Sequence, residues 1–538
     1  MRRLFGLAIL VMAALGGGIP AWAQSLERIS AATPFAANCN GAPQVGTLYP
    51  NAEVEPWVTA NPRNSRNLVA VWQQDRWSNG GAQGNLTGVS FDRGDSWTRP
   101  TPPPFSRCAG GNARNGGDYE RASDPWVSFG PDGSAHQIAL ALAGAAPNFP
   151  TSAILVSSSR DGGRTWGRIT TLQRDDTAQL LNDKESITAD PTDSRFVYAV
   201  WDRLQVQDPN LPTSPFSGDT LFARSTDGGE TWEPTKTILD FPDNSRIQSL
   251  GNQIVVLGDG TLVNVFNLIN QGVPFVAVQR STDKGVTWSD PIIVDLLFSS
   301  ATQNQGGGIS GVVDPFDLHP VRTGDILPEA AADPRRRSDS LYIVWQDIRF
   351  TLAAPLPIFN DQIVIASSTD GGLTWSDPRR VSENKLTQAF TGSVDVNDRG
   401  RVGVTYYDFT FDDPSVSPPL DTDYWATTSR DGGATFSARR RLTPRPFDMR
   451  TAPDARGFFV GDYEGLTNTG NDFLPVFVTA NSGNLANRTD VFSTSFQSSL
   501  TAARSAKRQR VIARASNLRS LARLVKREGV IQGPVRTR

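Results

Sequence analysis

The sequence predicts an all-β chain folded as one β-propeller of four-stranded blades. Three observations predict it. An eight-residue turn motif recurs six times, strand-like runs precede each copy in a fixed order, and turn formers are plentiful, with 48 Gly and 37 Pro in 538 residues.

The motif reads Ser-x-Asp-x-Gly-x-Ser/Thr-aromatic. Its copies run from Ser90 to Trp97, Ser159 to Trp166, Ser225 to Trp232, Ser281 to Trp288, Ser368 to Trp375 and Ser429 to Phe436. In each, Asp is placed to hydrogen-bond the backbone of a tight turn, Gly supplies a positive φ, and the aromatic ring packs beneath. Each copy is therefore a hairpin between two strands. It says how a blade is held and little about chemistry.

Two more strand-like runs precede each hairpin. The third unit has ESITADP, FVYAVWD and TLFARS before its turn, and the fifth has EAAADP, LYIVWQD and QIVIASS. The fourth and sixth units begin with GNQIVVLGDG and SVDVNDRG. Each unit thus has strands A to D with the motif between C and D, the pattern of a propeller blade. A seventh unit lacks the motif: FFVGDYEGL, FLPVFVTAN and DVFSTSF supply strands A to C, and residues before Glu53 are available as strand D. Seven blades are expected, or six if one unit is irregular.

The ends differ from the repeats. Arg2 and Arg3, an apolar run from Leu4 to Leu15, and Ala21-Trp22-Ala23 read as a signal peptide over residues 1–23, so a secreted or periplasmic location is expected. Residues 24–52 form an N-terminal segment, 53–500 the propeller, and 501–538 a basic tail that is helical or solvated. No later run is long and apolar enough to span a membrane. A net charge of -3 gives no reason to expect nucleic acid. The two cysteines, Cys39 and Cys108, suit a disulfide in an oxidising compartment.

The repeated motif resembles the Asp box of the sialidase (neuraminidase) superfamily, the BNR-repeat proteins, over roughly Glu53 to Phe496. The resemblance implies a propeller and, more weakly, a glycosidase of the exo-α-sialidase type acting on an acidic glycan or glycoconjugate. Catalytic members of the superfamily have six blades and a Phe/Tyr-Arg-Ile-Pro motif. The nearest string here, Glu27-Arg28-Ile29-Ser30, lacks the aromatic and the proline. A non-catalytic propeller that binds a glycan or a protein is the alternative. A monomer needing no cofactor is expected in either case.

Strand order places the A-strand starts and B-strand ends together, opposite the Asp boxes. Carboxylates mark the starts: Glu55, Asp124, Glu185, Glu329 and Asp462 or Glu464. Asp75-Arg76, Asp202-Arg203 and Asp347 with Arg349 mark the ends, after Trp72, Trp201 and Trp345. Arg121 and Arg322 precede strand A in units two and five. A sialidase-type reaction would use arginines to grip a carboxylate, with Arg76, Arg203, Arg349, Arg121 and Arg322 as candidates. It would use Tyr407, or Tyr463 beside Glu464, as nucleophile, and Asp124 as acid. The same Asp-Arg pairs would equally serve as salt bridges between blades. A carboxylate ring also suits Ca2+. His319 lies in a long insertion with Asp314 and Asp317, as a lid, a ligand or plain surface.

Overall fold

The structure is a computed structural model that describes residues 26–144, 149–206, 216–242, 245–303, 311–351 and 359–497. The expected signal peptide, residues 1–23, and the whole basic tail, 501–538, lie outside the described residues. Among those residues the only helices are Ser300–Gln303 and a 3-10 turn at Met449–Thr451, and none is long and apolar enough to cross a membrane.

The strands group into antiparallel units in sequence order. The second unit is Arg121–Phe129, Ala135–Ala143, Thr151–Ser159 and Thr170–Asp175, and the third is Leu180–Ala189, Val197–Val206, Phe216–Ser225 and Lys236–Leu239. The fourth to sixth follow the same plan, starting at Ile247–Val256, Glu329–Ala332 and Ala389–Val396. The first unit starts with Leu48–Ala60, and its fourth strand is reduced to a bridge between Val89 and Thr98. The last unit is Gly465–Asn468, Asp472–Ala480 and Thr489–Ser493, and Glu27–Arg28 pairs with its outer edge. Its first strand is shorter than the FFVGDYEGL run suggests. Phe458–Gly461 instead runs parallel to Val321–Thr323, and the chain turns inward at 462–464 before Gly465.

The core lies in layers between units. Val69, Val71 and Val89 of the first unit meet Val127 and Phe129 of the second. Ile138 and Ile154 of the second meet Ile187 and Trp201 of the third. Because both sheet faces are covered, the middle strands are buried along their whole length, as in Leu68–Trp77 and Leu341–Asp347. The Asp-box glycines press into these layers. A Cβ on Gly163 would lie 2.6 Å from Val69 of the preceding unit, and one on Gly94 of the first unit would lie 2.6 Å from Leu474 of the last. The indole of Trp97 also donates to Ser493 Oγ at 3.0 Å. The A strands of successive units pack against one another, and Gly465–Asn468 packs against both Ala389–Val396 and Leu48–Ala60. Cys39 and Cys108 are joined, tying the N-terminal segment to the loop after the first Asp box.

Candidate active site

The candidate site begins with a backbone feature. In five units two residues of strand A oppose one of strand B, a β-bulge at a matching position. The first bulge residue is Glu55, Asp124, Lys184, Gly251 or Thr391, with φ of 53, 45, 50, 69 and 47°. For residues other than glycine this region costs roughly 1–3 kcal/mol, and it concentrates at functional sites. The bulge brings the side chains of Glu55, Asp124 and Lys184 together. It also corrects the register in unit three, where Lys184, not Glu185, is equivalent to Glu55 and Asp124. Glu185 is the second bulge residue, and neither of its carboxylate oxygens has a partner among the described residues.

Lys184 gathers the ring. Its Nζ lies 3.5 Å from Glu55, 3.1 Å from Asp124 and 2.8 Å from Asp462. Arg322 holds the other side of Asp462, its Nε donating to Oδ1 at 3.0 Å. Gln73 donates to Glu55 and, at 3.2 Å, to Asp124. Arg76 is buried, donates to Gln73 at 2.8 Å, and stacks with Arg322 on the ring of Phe459, at 5.1 and 4.3 Å. Burial and the neighbouring Arg322 lower Arg76 to about 10. Burial and the Asp124 charge push Glu55 up to about 8. Burial would raise Asp462 too, but Arg322 and Lys184 hold it well below the carboxylate range.

A cavity of about 340 Å³ opens over this ring, bordered by Asp183, Lys184, Arg322, Asp325, Arg456 and Asp462 among others. Burial, with the charges of Asp361 and Asp462, pushes Asp325 up to about 8. Burial pushes Asp183 up to about 6 against the pull of Lys184. Neither carboxyl has a salt-bridge partner among the described residues, and the same is true of the exposed Arg456 at φ 69°. Behind the cavity a chamber lined by Trp126, Glu185, Asn252, Gln346 and Tyr463 continues down the centre, and Gly324 and Leu327 border both spaces.

The other residues singled out in the sequence lie elsewhere. Arg203 pairs with Asp175 of the preceding unit at 2.7 Å, and Arg349 pairs with its own Asp347 and with Asp295 of the preceding unit at 2.8 and 3.0 Å. Arg121 lies over Trp77 and donates to Gln44 and Asn79. These three arginines do not converge with Arg76 and Arg322. Arg28 pairs with Asp490 in the last unit. Tyr407 is fully buried among Phe390, Tyr424 and Phe447, and donates to Glu464 at 2.9 Å. Glu464 therefore serves Tyr407 and not its chain neighbour Tyr463. Tyr463 faces the chamber, edge-on to Trp57 and Trp126, and donates to Pro125 O at 3.3 Å. Its hydroxyl is pushed well up by burial and by the charges of Glu55 and Asp124. In the insertion, Asp314 is held by Arg450 at 2.6 Å, and His319 lies 3.1 Å from Asp454. Glu329 accepts from Ser393 at 3.0 Å.

Sequence reasoning missed Lys184, Asp183, Asp325 and Arg456. Lys184 had a signal: Glu55, Lys184 and Thr391 each stand six residues before the Asn or Asp that opens the A-to-B turn, at Asn61, Asp190 and Asn397. Asp325 and Arg456 lie in connecting segments with no repeat to align them.

The BNR/Asp-box repeat model matches residues 223–234. No curated protein matches the chain. Among solved structures the chain is similar to the Hadza microbial sialidase Hz136, at 16% identity, over 81% of this chain and 75% of that one, with a TM-score of 0.45. It is also similar to the Penicillium chrysogenum α-L-arabinanase, at 10% identity, over 87% and 97%, with a TM-score of 0.42. The intramolecular trans-sialidase of Ruminococcus gnavus follows at 14% identity, over 70% and 95%, with a TM-score of 0.42. Likenesses at this level do not bear on the chemistry of this chain.

Proposed function

We propose that this BNR/Asp-box repeat protein is a seven-bladed propeller and a glycoside hydrolase that acts on an acidic glycan at the mouth of its central channel. The packing of the last unit against the first supports the blade count. One observation carries the catalytic reading: two carboxyls bordering one cavity, Asp325 at about 8 and Asp183 at about 6, neither tied up in a salt bridge among the described residues. Near pH 7 the first is protonated and the second ionised. This is the division of labour that hydrolysis of a glycosidic bond requires, one group donating to the leaving oxygen and the other activating water or attacking.

Arg456 is the cation free to receive a substrate carboxylate, in place of the Arg203 and Arg349 grip read from the sequence. Arg322 and Lys184 are engaged with Asp462 and keep the floor charged and fixed. A carboxylate nucleophile or base fits this floor better than a tyrosinate, because the acids around Tyr463 oppose its ionisation. No cofactor enters the scheme. Export is part of the proposal, supported by the Cys39–Cys108 bond.

The test is hydrolysis of fluorogenic sialosides and uronides by the mature chain, with Asp325→Asn, Asp183→Asn, Tyr463→Phe and Tyr407→Phe beside it. Turnover lost in the two Asp variants and kept in Tyr407→Phe supports this assignment. Loss confined to Tyr463→Phe would restore the tyrosine nucleophile. A folded wild type that turns over neither class, yet binds an acidic glycan through Arg456, would make the protein a non-catalytic binder.

A further inference from the structure

We propose that an arginine patch on the Asp-box face, between the fifth and sixth units, holds an anionic polysaccharide away from the mouth. The patch is built from two A-to-B turns and one Asp box. Strand Glu329–Ala332 leads into the turn that bears Arg335, Arg336 and Arg337, all exposed, with Arg337 at φ 69°. Strand Ala389–Val396 leads into the turn that bears the exposed Arg399, and Arg401 stands just before strand Val402–Asp408. Arg430 is the second residue of the sixth Asp box and is exposed. The two turns touch, since a Cβ on Gly400 would fall on the Arg335 guanidinium. Arg401 feels the other arginines: burial and the charges of Arg430 and Arg399 hold it below the usual arginine range.

Elsewhere on this face cations are paired. Arg160 lies 2.7 Å from Glu230, Arg195 2.7 Å from Asp193, and Lys284 2.7 Å from Asp190. In the patch, Arg335 pairs with Asp333 of its own turn. Arg336, Arg337, Arg399 and Arg430 make no ion pair and no side-chain hydrogen bond among the described residues. The nearby carboxylates do not answer them. Asp431 is held within its own box by Thr435 at 2.6 Å, and burial raises Asp398 with no cation acting against it. These four arginines therefore hold no units together, and gathering like charges opposes folding. They stand ready for anions from outside the chain.

Arginine meets a carboxylate or a sulfate with two parallel hydrogen bonds. The chain as a whole carries -3, so no broad field draws it to nucleic acid or to an anionic bilayer. The patch also offers no exposed aromatic ring on which bases could stack. The exposed Phe350 and Phe359 follow strand Leu341–Asp347, at the opposite end of the units. An extended polyanion crossing two adjacent turns fits such a local row of charges. The choice of a polysaccharide rests on the reading of the mouth as a site for acidic glycans, and one chain of sugars would then be held at two places.

The test reads binding alone, so it stands whether or not the mouth hydrolyses a glycan. Polygalacturonate, which carries carboxylates, and chondroitin sulfate, which adds sulfates, are passed over the immobilised mature chain in surface plasmon resonance. At least one is expected to bind at about 0.05 M salt and to be released by about 0.5 M. The tighter of the two names the anion. Arg336→Gln combined with Arg399→Gln should weaken binding about 3- to 30-fold, with an unchanged unfolding midpoint because both side chains are exposed. Arg160→Gln combined with Arg195→Gln removes the same charge from the same face and should leave binding as it was. Arg456→Gln, at the mouth, should weaken it less than the patch pair does. Binding of neither polymer, or equal weakening by the two double variants, overturns the proposal. So does a larger loss in Arg456→Gln, which would place the polymer at the mouth, or tighter binding to duplex DNA or to phosphatidylserine vesicles.

Discussion

Aspartates stand both in the Asp-box turns and around the opposite cavity, under opposite conditions. At the Asp-box end, Asp227, Asp370 and Asp431 are held at about 2 by the hydroxyl and amide of a Thr four residues on, in Thr231, Thr374 and Thr435. At the mouth, burial pushes Asp183 and Asp325 up to about 6 and 8, and the partners of Asp462 come from other parts of the chain. One end satisfies its carboxylates locally and leaves them in water. The other assembles them over long range and leaves two without a salt bridge among the described residues. The contrast separates groups that hold the fold from groups available for chemistry.

The sharpest way to break the comparison is to remove the cation at the mouth. Lys184→Met leaves Asp124 and Asp462 buried without Lys184, and should cost about 3–5 kcal/mol in chemical denaturation. A change as small as that of an exposed pair would show that the ring is far wetter than its burial implies. Next in size, Asp325→Asn should lower kcat about 100- to 10,000-fold with the unfolding midpoint kept, and wild-type kcat/KM should be bell-shaped with limbs near pH 6 and 8.

The two ends should also oppose each other in pH. The box carboxylates, depressed in the fold, add stability that is present above about pH 4 and lost as pH falls toward 2. The raised groups Glu55, Asp202 and Asp325 bind more protons folded than unfolded. Their contribution is therefore lost as pH rises from about 4 through 7 to 8. Thermal unfolding across pH should peak near pH 4–5, and a peak at pH 8 would contradict the raised values. The smallest effects belong to groups with purely structural roles. Arg203→Ala, which removes a contact between units, and Asp227→Ala, which removes box hydrogen bonds, should each cost about 1 kcal/mol and leave KM unchanged. A KM change in Arg203→Ala would return that arginine to the site.

The Asp boxes were legible in the sequence because the hydrogen bonds of their Asp side chains close within a few residues. Ser225 Oγ reaches Asp227 at 2.8 Å, and Thr231 reaches the same Asp at 2.6 Å. The order of strands was legible too, since each unit repeats one alternation of apolar runs and turns. Most of the ring could be read: Glu55, Asp124, Asp462, Arg76 and Arg322 were named from their place in the repeat. Lys184 was masked by the carboxylate beside it, and only the bulge register separates the two.

The amino-acid sequence by itself determined the hairpins, the four-strand unit and the end at which Glu55, Asp124 and Arg76 gather, because these depend on contacts between near neighbours in the chain. Tertiary structure decided which groups meet. Asp183, Asp325 and Arg456 border one cavity only because separate units pack side by side, and Tyr407 takes Glu464 from a residue 57 positions away. It also decided which carboxyls keep their protons, since that depends on burial and on charges brought from distant segments, and no local pattern encodes either.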